Sequence, residues 1–189
     1  MAWASLVAIV AGLDLSGVPR KCNGYAEIHV PRKNILDAKC LYEDREIIET
    51  IKNRISVVAI DAPISREPIM RELDREAIRR GYRVLPPSMR GMRILTQRAW
   101  RIYSELKESG VIVIETHPRS ALKSSGSGGL EELLRKLGIG IPQGLVEAAR
   151  AKDISDAIVA SVVAYCYYTR ECIRSIEASD GVLYLIARL

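Results

Sequence analysis

"ISVVAIDAP", residues 55–63, is β-branched and apolar as far as Asp61 and stops at Pro63. That composition reads as a central strand with a carboxylate at its C-terminal end. Two other segments repeat the pattern. "SLVAIVAGLDLSG" reads as a buried strand over 5–15 that carries Asp14 near its end and closes in a glycine turn. "GVIVIETHP", 110–118, reads as a short buried strand with Glu115 at its end. What lies between them sets the topology. "EPIMRELDREAIRRG" has Pro68 in its first turn and Gly81 past its end, which predicts a helix over 67–80. Met92, Leu95, Ala99, Ile102 and Leu106 recur at helical spacing and predict a second helix over about 90–108. Strands joined through helices must be crossovers, so these strands are expected to lie parallel.

The flanks complete an α/β pattern. "GYAEIHV", 24–30, alternates as a strand, a short third strand is expected around 35–41, and "EDREIIETIKNR", 43–54, puts Ile47, Ile48 and Ile51 on one helix face. The first three strands suit a meander. Beyond residue 118 the chain reads as a glycine-serine loop at 123–129, two short helices, a long apolar helix over about 153–171 and a small strand in "GVLYLIA". No internal repeat or domain boundary is visible, and 189 residues suit one domain spanning 1–189.

With 48% apolar and 27% charged residues, the composition is that of a globular protein. The N-terminal stretch lacks a basic segment before its apolar run, and no run approaches the ~20 apolar residues of a membrane span, so a cytoplasmic protein is expected. Cys22, Cys40, Cys166 and Cys172 form no CxxC pair and no metal-ligand spacing, so buried free thiols are expected. The net charge of +5 is concentrated: residues 66–101 carry ten arginines, no lysine and four acids. Such a region suits a polyanionic partner such as DNA or RNA, or else solvated helix faces with local ion pairs.

Asp14, Asp61 and Glu115 at the ends of neighbouring strands would bring three carboxylates together, since adjacent strands lie about 4.8 Å apart. The long helix opens with "KDISD", where Asp153 and Asp156 share a face at i,i+3. Two roles are open to that pair. Asp153 can cap the helix with Asp156 at N3, or both can complete the carboxylate cluster. Anions that close repel one another, and divalent ions remove the cost. Two ions about 3.5–4 Å apart suit phosphodiester hydrolysis, and all-oxygen ligands suit Mg²⁺ or Mn²⁺.

Five segments, "AGLDLSG", "AIDAPIS", "RELDREAIRRG", "VIVIETHPRSAL" and "KDISDAIVASVVAY", together resemble the predicted ribonuclease H-like nuclease family called domain of unknown function 429. The resemblance spans about 6–169. It implies a ribonuclease H-like fold: a five-stranded mixed sheet in the order 3-2-1-4-5, helices on both faces, and a helical insertion at about 67–108. It further implies that Asp14 bridges metals, that Asp61 is the strand-4 acid, and that Asp153 or Asp156 is the acid of the last helix. Glu115 belongs to this family's pattern, whereas a first-helix glutamate of ribonuclease H proper has no counterpart here.

The expected function is therefore a metal-dependent phosphodiester hydrolase, a nuclease with Asp14, Asp61, Glu115, Asp153 and Asp156 as metal ligands. Arg71, Arg75, Arg79, His117 and Lys123 are the candidate substrate contacts. A resolvase-like role would favour a homodimer. The alternative is a non-catalytic nucleic-acid-binding module of the same fold. A phosphotransferase sharing this core is disfavoured, because "LDLSGVPRK" lacks a glycine- and threonine-rich phosphate hairpin.

Overall fold

The computed structural model describes residues 8–18 and 20–189. Seven strands form one sheet: β1 (Ile9–Asp14), β2 (Asn23–His29), β3 (Asn34–Leu41), β4 (Val57–Asp61), β5 (Ile112–Thr116), β6 (Ile173–Ala178) and β7 (Gly181–Ile186). Their order is β3-β2-β1-β4-β5-β7-β6. The expected 3-2-1-4-5 order holds for the first five, and the five-strand count is corrected to seven. β7 pairs in parallel with β5 through Glu115–Leu183 and Thr116–Tyr184, and β6 closes that edge as an antiparallel partner of β7. β1, β4 and β5 are mutually parallel, while β1, β2 and β3 form the meander. The expected start of the first strand, residues 5–7, lies outside the described residues.

Among the described residues seven α-helices accompany the sheet: α1 (Asp44–Ile51), α2 (Glu72–Arg79), α3 (Arg90–Glu108), α4 (Pro118–Ser125), α5 (Leu130–Leu137), α6 (Gln143–Val146) and α7 (Lys152–Thr169). Side-chain alternation along the strands sorts them into two layers. Ile9, Ala11, Leu13, Val58 and Ile60 face one side and pack with Ile47 and Ile51 of α1 and Ile102 and Leu106 of α3. Val10, Val57 and Ala59 face the other, where Ile158, Val162 and Val163 of α7 and Leu133 of α5 cover them. α7 is buried nearly all round, which explains why its middle carries no charge.

Two glycines fix how near α7 comes. A Cβ built on Gly12 of β1 would lie 2.1 Å from both Ala157 O and Ser161 N, and one on Gly24 of β2 would lie 1.9 Å from Asp153 O. No side chain fits at either position, so helix backbone rests directly on strand backbone.

Some expectations shift locally. α2 starts at Glu72 rather than 67, because its first amide groups are capped from afar: Asp180, in the β6–β7 turn, accepts from Glu72 N (2.6 Å) and Leu73 N (3.0 Å). Residues 123–125, expected in a loop, complete α4, which ends at left-handed Gly126. The free-thiol expectation is overturned by two disulfides, Cys22–Cys40 and Cys166–Cys172. The first joins cysteines that the β2–β3 register brings together, with Gly24 opposite Cys40. The second ties the end of α7 to the start of β6. Among the described residues no helix is long and apolar enough to cross a membrane.

Candidate active site

Asp14 and Asp61 are register partners at the ends of parallel strands β1 and β4. Each follows two positions after a residue that faces α7, Gly12 and Ala59, so strand alternation turns both carboxylates toward the helix. The first turn of α7 arrives above them because Gly12 and Gly24 admit it. Asp153 and Asp156 do not cap this helix: it begins at Lys152 with Ala151 as its N-cap residue and no side-chain cap. The site reading of that pair therefore keeps both carboxylates, and the capping reading is dropped.

The electrostatics record how near these groups are. Burial lifts the Asp14 carboxyl to about 6, and the charges of Asp156 and Asp153 push in the same direction. Burial likewise holds Asp61 well above the usual carboxylate range, helped by Asp14, Asp156 and Glu115. Lys152 opposes both shifts. Its ammonium lies 2.7 Å from Asp156 Oδ2, and that hydrogen bond raises its own pKa. Sequence reasoning missed Lys152, although its i,i+4 spacing to Asp156 was there to read.

Glu115 has different surroundings. It pairs in register with Ile60, which faces α1 and α3, while Thr116 is the residue opposite Asp61. Both Glu115 oxygens are engaged by Arg71, Nη2 to Oε1 at 2.6 Å and Nη1 to Oε2 at 2.7 Å, and Ile64 N donates to Oε2 at 2.7 Å. Arg71 also holds Asp74 at 2.7 Å, and Asp74 accepts from Arg71 N. Burial raises the Glu115 carboxyl against the pull of Arg71. Arg71 is itself buried, so this arginine knits β5 to α2 instead of facing an incoming phosphate.

The other candidate contacts are spread out. Arg75 and Arg79 are exposed on α2 and pair with Glu72, and Arg79 also with Glu76. His117 stands at the N-terminus of α4 with Nδ1 2.6 Å from Ser120 Oγ. Burial lowers its pKa, as do the charges of Arg119 and Lys152, while Asp156 opposes them. Lys123 donates to Gly81 O at 2.8 Å. A cleft beside the carboxylates collects Asp61, Asp156, His117 and Lys123 together with three cations that sequence reasoning did not single out, Arg83, Arg119 and Lys152.

Of the ten arginines in 66–101, six make ion pairs: Arg71, Arg75, Arg79, Arg80, Arg98 and Arg101. The ion-pair reading of that region thus holds for these six. Arg98 is bound into the fold, donating to Asp44, to Asn23 and to the Ser16 carbonyl. Arg66, Arg83, Arg90 and Arg93 are exposed and have no carboxylate within ion-pair distance among the described residues.

Among the described residues no three His, Cys, Asp or Glu side chains already stand at metal-ligating positions. The donor chemistry nonetheless suits a hard cation. Asp14 and Asp61 present half-buried carboxylate oxygens whose pKa values are raised first by burial and then by neighbouring carboxylates, and α7 brings two more carboxylates to the same side.

The chain is similar in structure to T. thermophilus RuvC in complex with a Holliday junction substrate, with a TM-score of 0.54 and 17% identity over 86% of this chain and 96% of that one. A second Thermus thermophilus RuvC structure aligns over the same shares with a TM-score of 0.52 and 16% identity. At such identities the likeness is one of fold alone. No protein-family model matches the chain, and no curated protein matches it in sequence. The likeness to domain of unknown function 429 therefore stands on the five quoted segments alone.

Proposed function

We propose that this protein is a divalent-metal-dependent nuclease whose ion site is formed by Asp14, Asp61 and the α7 acids Asp156 and Asp153. The observation that carries the reading is the Asp14–Asp61 register pair facing the first turn of α7, with both carboxyls raised by burial and by neighbouring carboxylates. Mg²⁺ or Mn²⁺ held there would activate a water for attack on a phosphodiester and stabilise the leaving oxygen.

The chain's own residues have separate tasks. Asp14 and Asp61 supply rigid oxygens from strand ends. Lys152 neutralises Asp156 in the metal-free site and would release it when an ion takes over that charge. Glu115 acts in this reading as a positioning residue: through Arg71 and the Ile64 amide it holds the segment after β4, and with it the Asp61 carboxylate. Arg83, Arg119 and Lys123 along the cleft suit the phosphates of a nucleic-acid strand. The RuvC structure that contains a Holliday junction supports a nucleic-acid substrate for this shared fold.

A second reading keeps the nucleic acid and drops the chemistry. The Lys152–Asp156 pair favours it, because a lysine already serves as counter-ion in the site. Calorimetric Mn²⁺ titration of wild type and Asp14→Asn, paired with cleavage assays on DNA, RNA and branched substrates, separates the two. The nuclease reading expects metal binding and cleavage in wild type and neither in the variant. Nucleic-acid binding without metal binding or cleavage in wild type selects the second.

A further inference from the structure

A cavity of about 190 Å³ opens directly onto Asp14 and Asp61. Its lining is mostly apolar, with Leu15, Pro63, Val84, Leu85, Met92 and Leu95, and it also includes the ion-paired Arg71, Asp74 and Glu115. Hydrolysis of a phosphodiester by carboxylate-held ions gives no reason for an apolar chamber at that point. Leu85 on its wall is 60% exposed. His117 lines both this cavity and the basic cleft, so its ring stands where the two meet.

The rim carries the opposite chemistry. Arg83 precedes the wall residues Val84 and Leu85. Arg83 is exposed, has no carboxylate within ion-pair distance among the described residues, and lines the adjoining cleft with Arg119 and Lys123. An apolar chamber, a carboxylate pair that suits a cation, and the arginines of the adjoining cleft select an occupant with a flat apolar body and several anionic groups. An apolar segment of a protein partner would fill the chamber but leave the arginines and the carboxylates unanswered. A nucleotide within a strand answers all three: its base enters the chamber, its phosphate meets the ion site, and its neighbours' phosphates meet the arginines.

We propose that this cavity captures one unstacked nucleobase, so that the preferred substrate is a nucleic acid with an unpaired base at or next to the cleaved phosphate. The inference rests on the nuclease reading for the identity of the site and adds the substrate class. A base already out of the stack pays little to enter, whereas a paired base must first be extruded, so the chamber discriminates by pairing state more than by sequence.

The test compares three DNA ligands by fluorescence anisotropy with Ca²⁺ as the metal: a duplex with one bulged base, the same duplex with an abasic bulge, and the perfect duplex. The bulged base is expected to bind about tenfold or more tighter than either of the others. A 2-aminopurine bulge should report its transfer into the chamber as a change in emission. Leu95→Trp, which fills the chamber, should erase the difference between the three ligands, and the wild-type comparison stands even if that variant folds poorly. Equal binding of bulged base and abasic bulge overturns the proposal while leaving the nuclease reading in place. Binding of none of the three overturns it as well. Failure of the nuclease reading shows separately, as no Mn²⁺-dependent cleavage of a bulged duplex that binds.

Discussion

Asp14 and Asp61 occupy the same register position on adjacent parallel strands, and both face the helix that carries Asp153 and Asp156. Four carboxylates are thus delivered to one end of one sheet face by a strand pair and a helix turn. On the nuclease reading, removing one should relieve the repulsion and destroy the proposed cation site. Asp14→Asn is expected to abolish Mn²⁺ binding by calorimetry and to reduce cleavage by at least about a hundredfold. The same variant should melt higher than wild type near pH 7 without metal. A variant that still binds Mn²⁺ with wild-type affinity would remove Asp14 from the site.

The pH dependence follows from the same carboxyl. Asp14 is lifted to about 6 in the folded protein, against about 3.9 for an unfolded aspartate. A raised folded value means the native state binds the extra proton. The stabilisation is therefore full below about pH 4 and is lost as pH rises through about 6. Because Asp14 is partly exposed, the loss should be no more than about 2 kcal/mol. Melting curves without metal should show it, and saturating Mn²⁺ should cancel it above pH 6. Metal affinity should rise over the same interval as protons stop competing.

Gly12→Ala and Gly24→Ala test the support of the site. Each new methyl group would meet helix backbone, which cannot rotate away. A destabilisation of about 3 kcal/mol or more is expected in urea unfolding. If either variant folds with wild-type stability, α7 does not sit on these glycines as described.

Arg71→Ala should cost about 3–5 kcal/mol, because it leaves Glu115 and Asp74 buried without their partner. Glu115→Gln keeps the shape and gives a cleaner reading of role. As a positioning residue, Glu115 predicts that this variant still binds Mn²⁺, with a weaker hold on Asp61 visible as reduced cleavage. Complete loss of metal binding in a folded Glu115→Gln protein would make Glu115 a ligand instead.

Reduction should destabilise the protein mainly through Cys22–Cys40. That bridge spans 18 residues and should contribute about 3 kcal/mol, while Cys166–Cys172 spans 6 and should contribute less. Thiol titration of the denatured, unreduced protein should find no free cysteine, and melting with and without reductant measures the difference.

Much of this arrangement is legible in the residues. β-branched runs ending in Asp14 and Asp61 mark the parallel strands, and the apolar length of α7 marks a buried helix. Glu115 shows the boundary of such reading. β5 lies inside the sheet and is apolar up to Glu115, so no alternation betrays which face Glu115 will take, and one position of slip reverses it. β6 escapes notice because its exposed Arg174 and Glu177 and its half-buried positions are those of an edge strand. The true start of α2 and the cysteine pairing depend on partners brought together only by the fold, Asp180 for the helix and the β2–β3 register for Cys22 and Cys40.

The cap on α2 has a consequence for synthesis. Asp180 lies 108 residues beyond Glu72, and α7 brings Asp153 to a sheet begun by Asp14. A chain emerging N-terminus first holds Asp14 and Asp61 long before α7 or the final hairpin exists. The carboxylates then lack their helix, and α2 lacks the Asp180 cap on Glu72 and Leu73. On the nuclease reading, a nascent chain would thus lack an assembled carboxylate site until α7 and the final hairpin had left the ribosome.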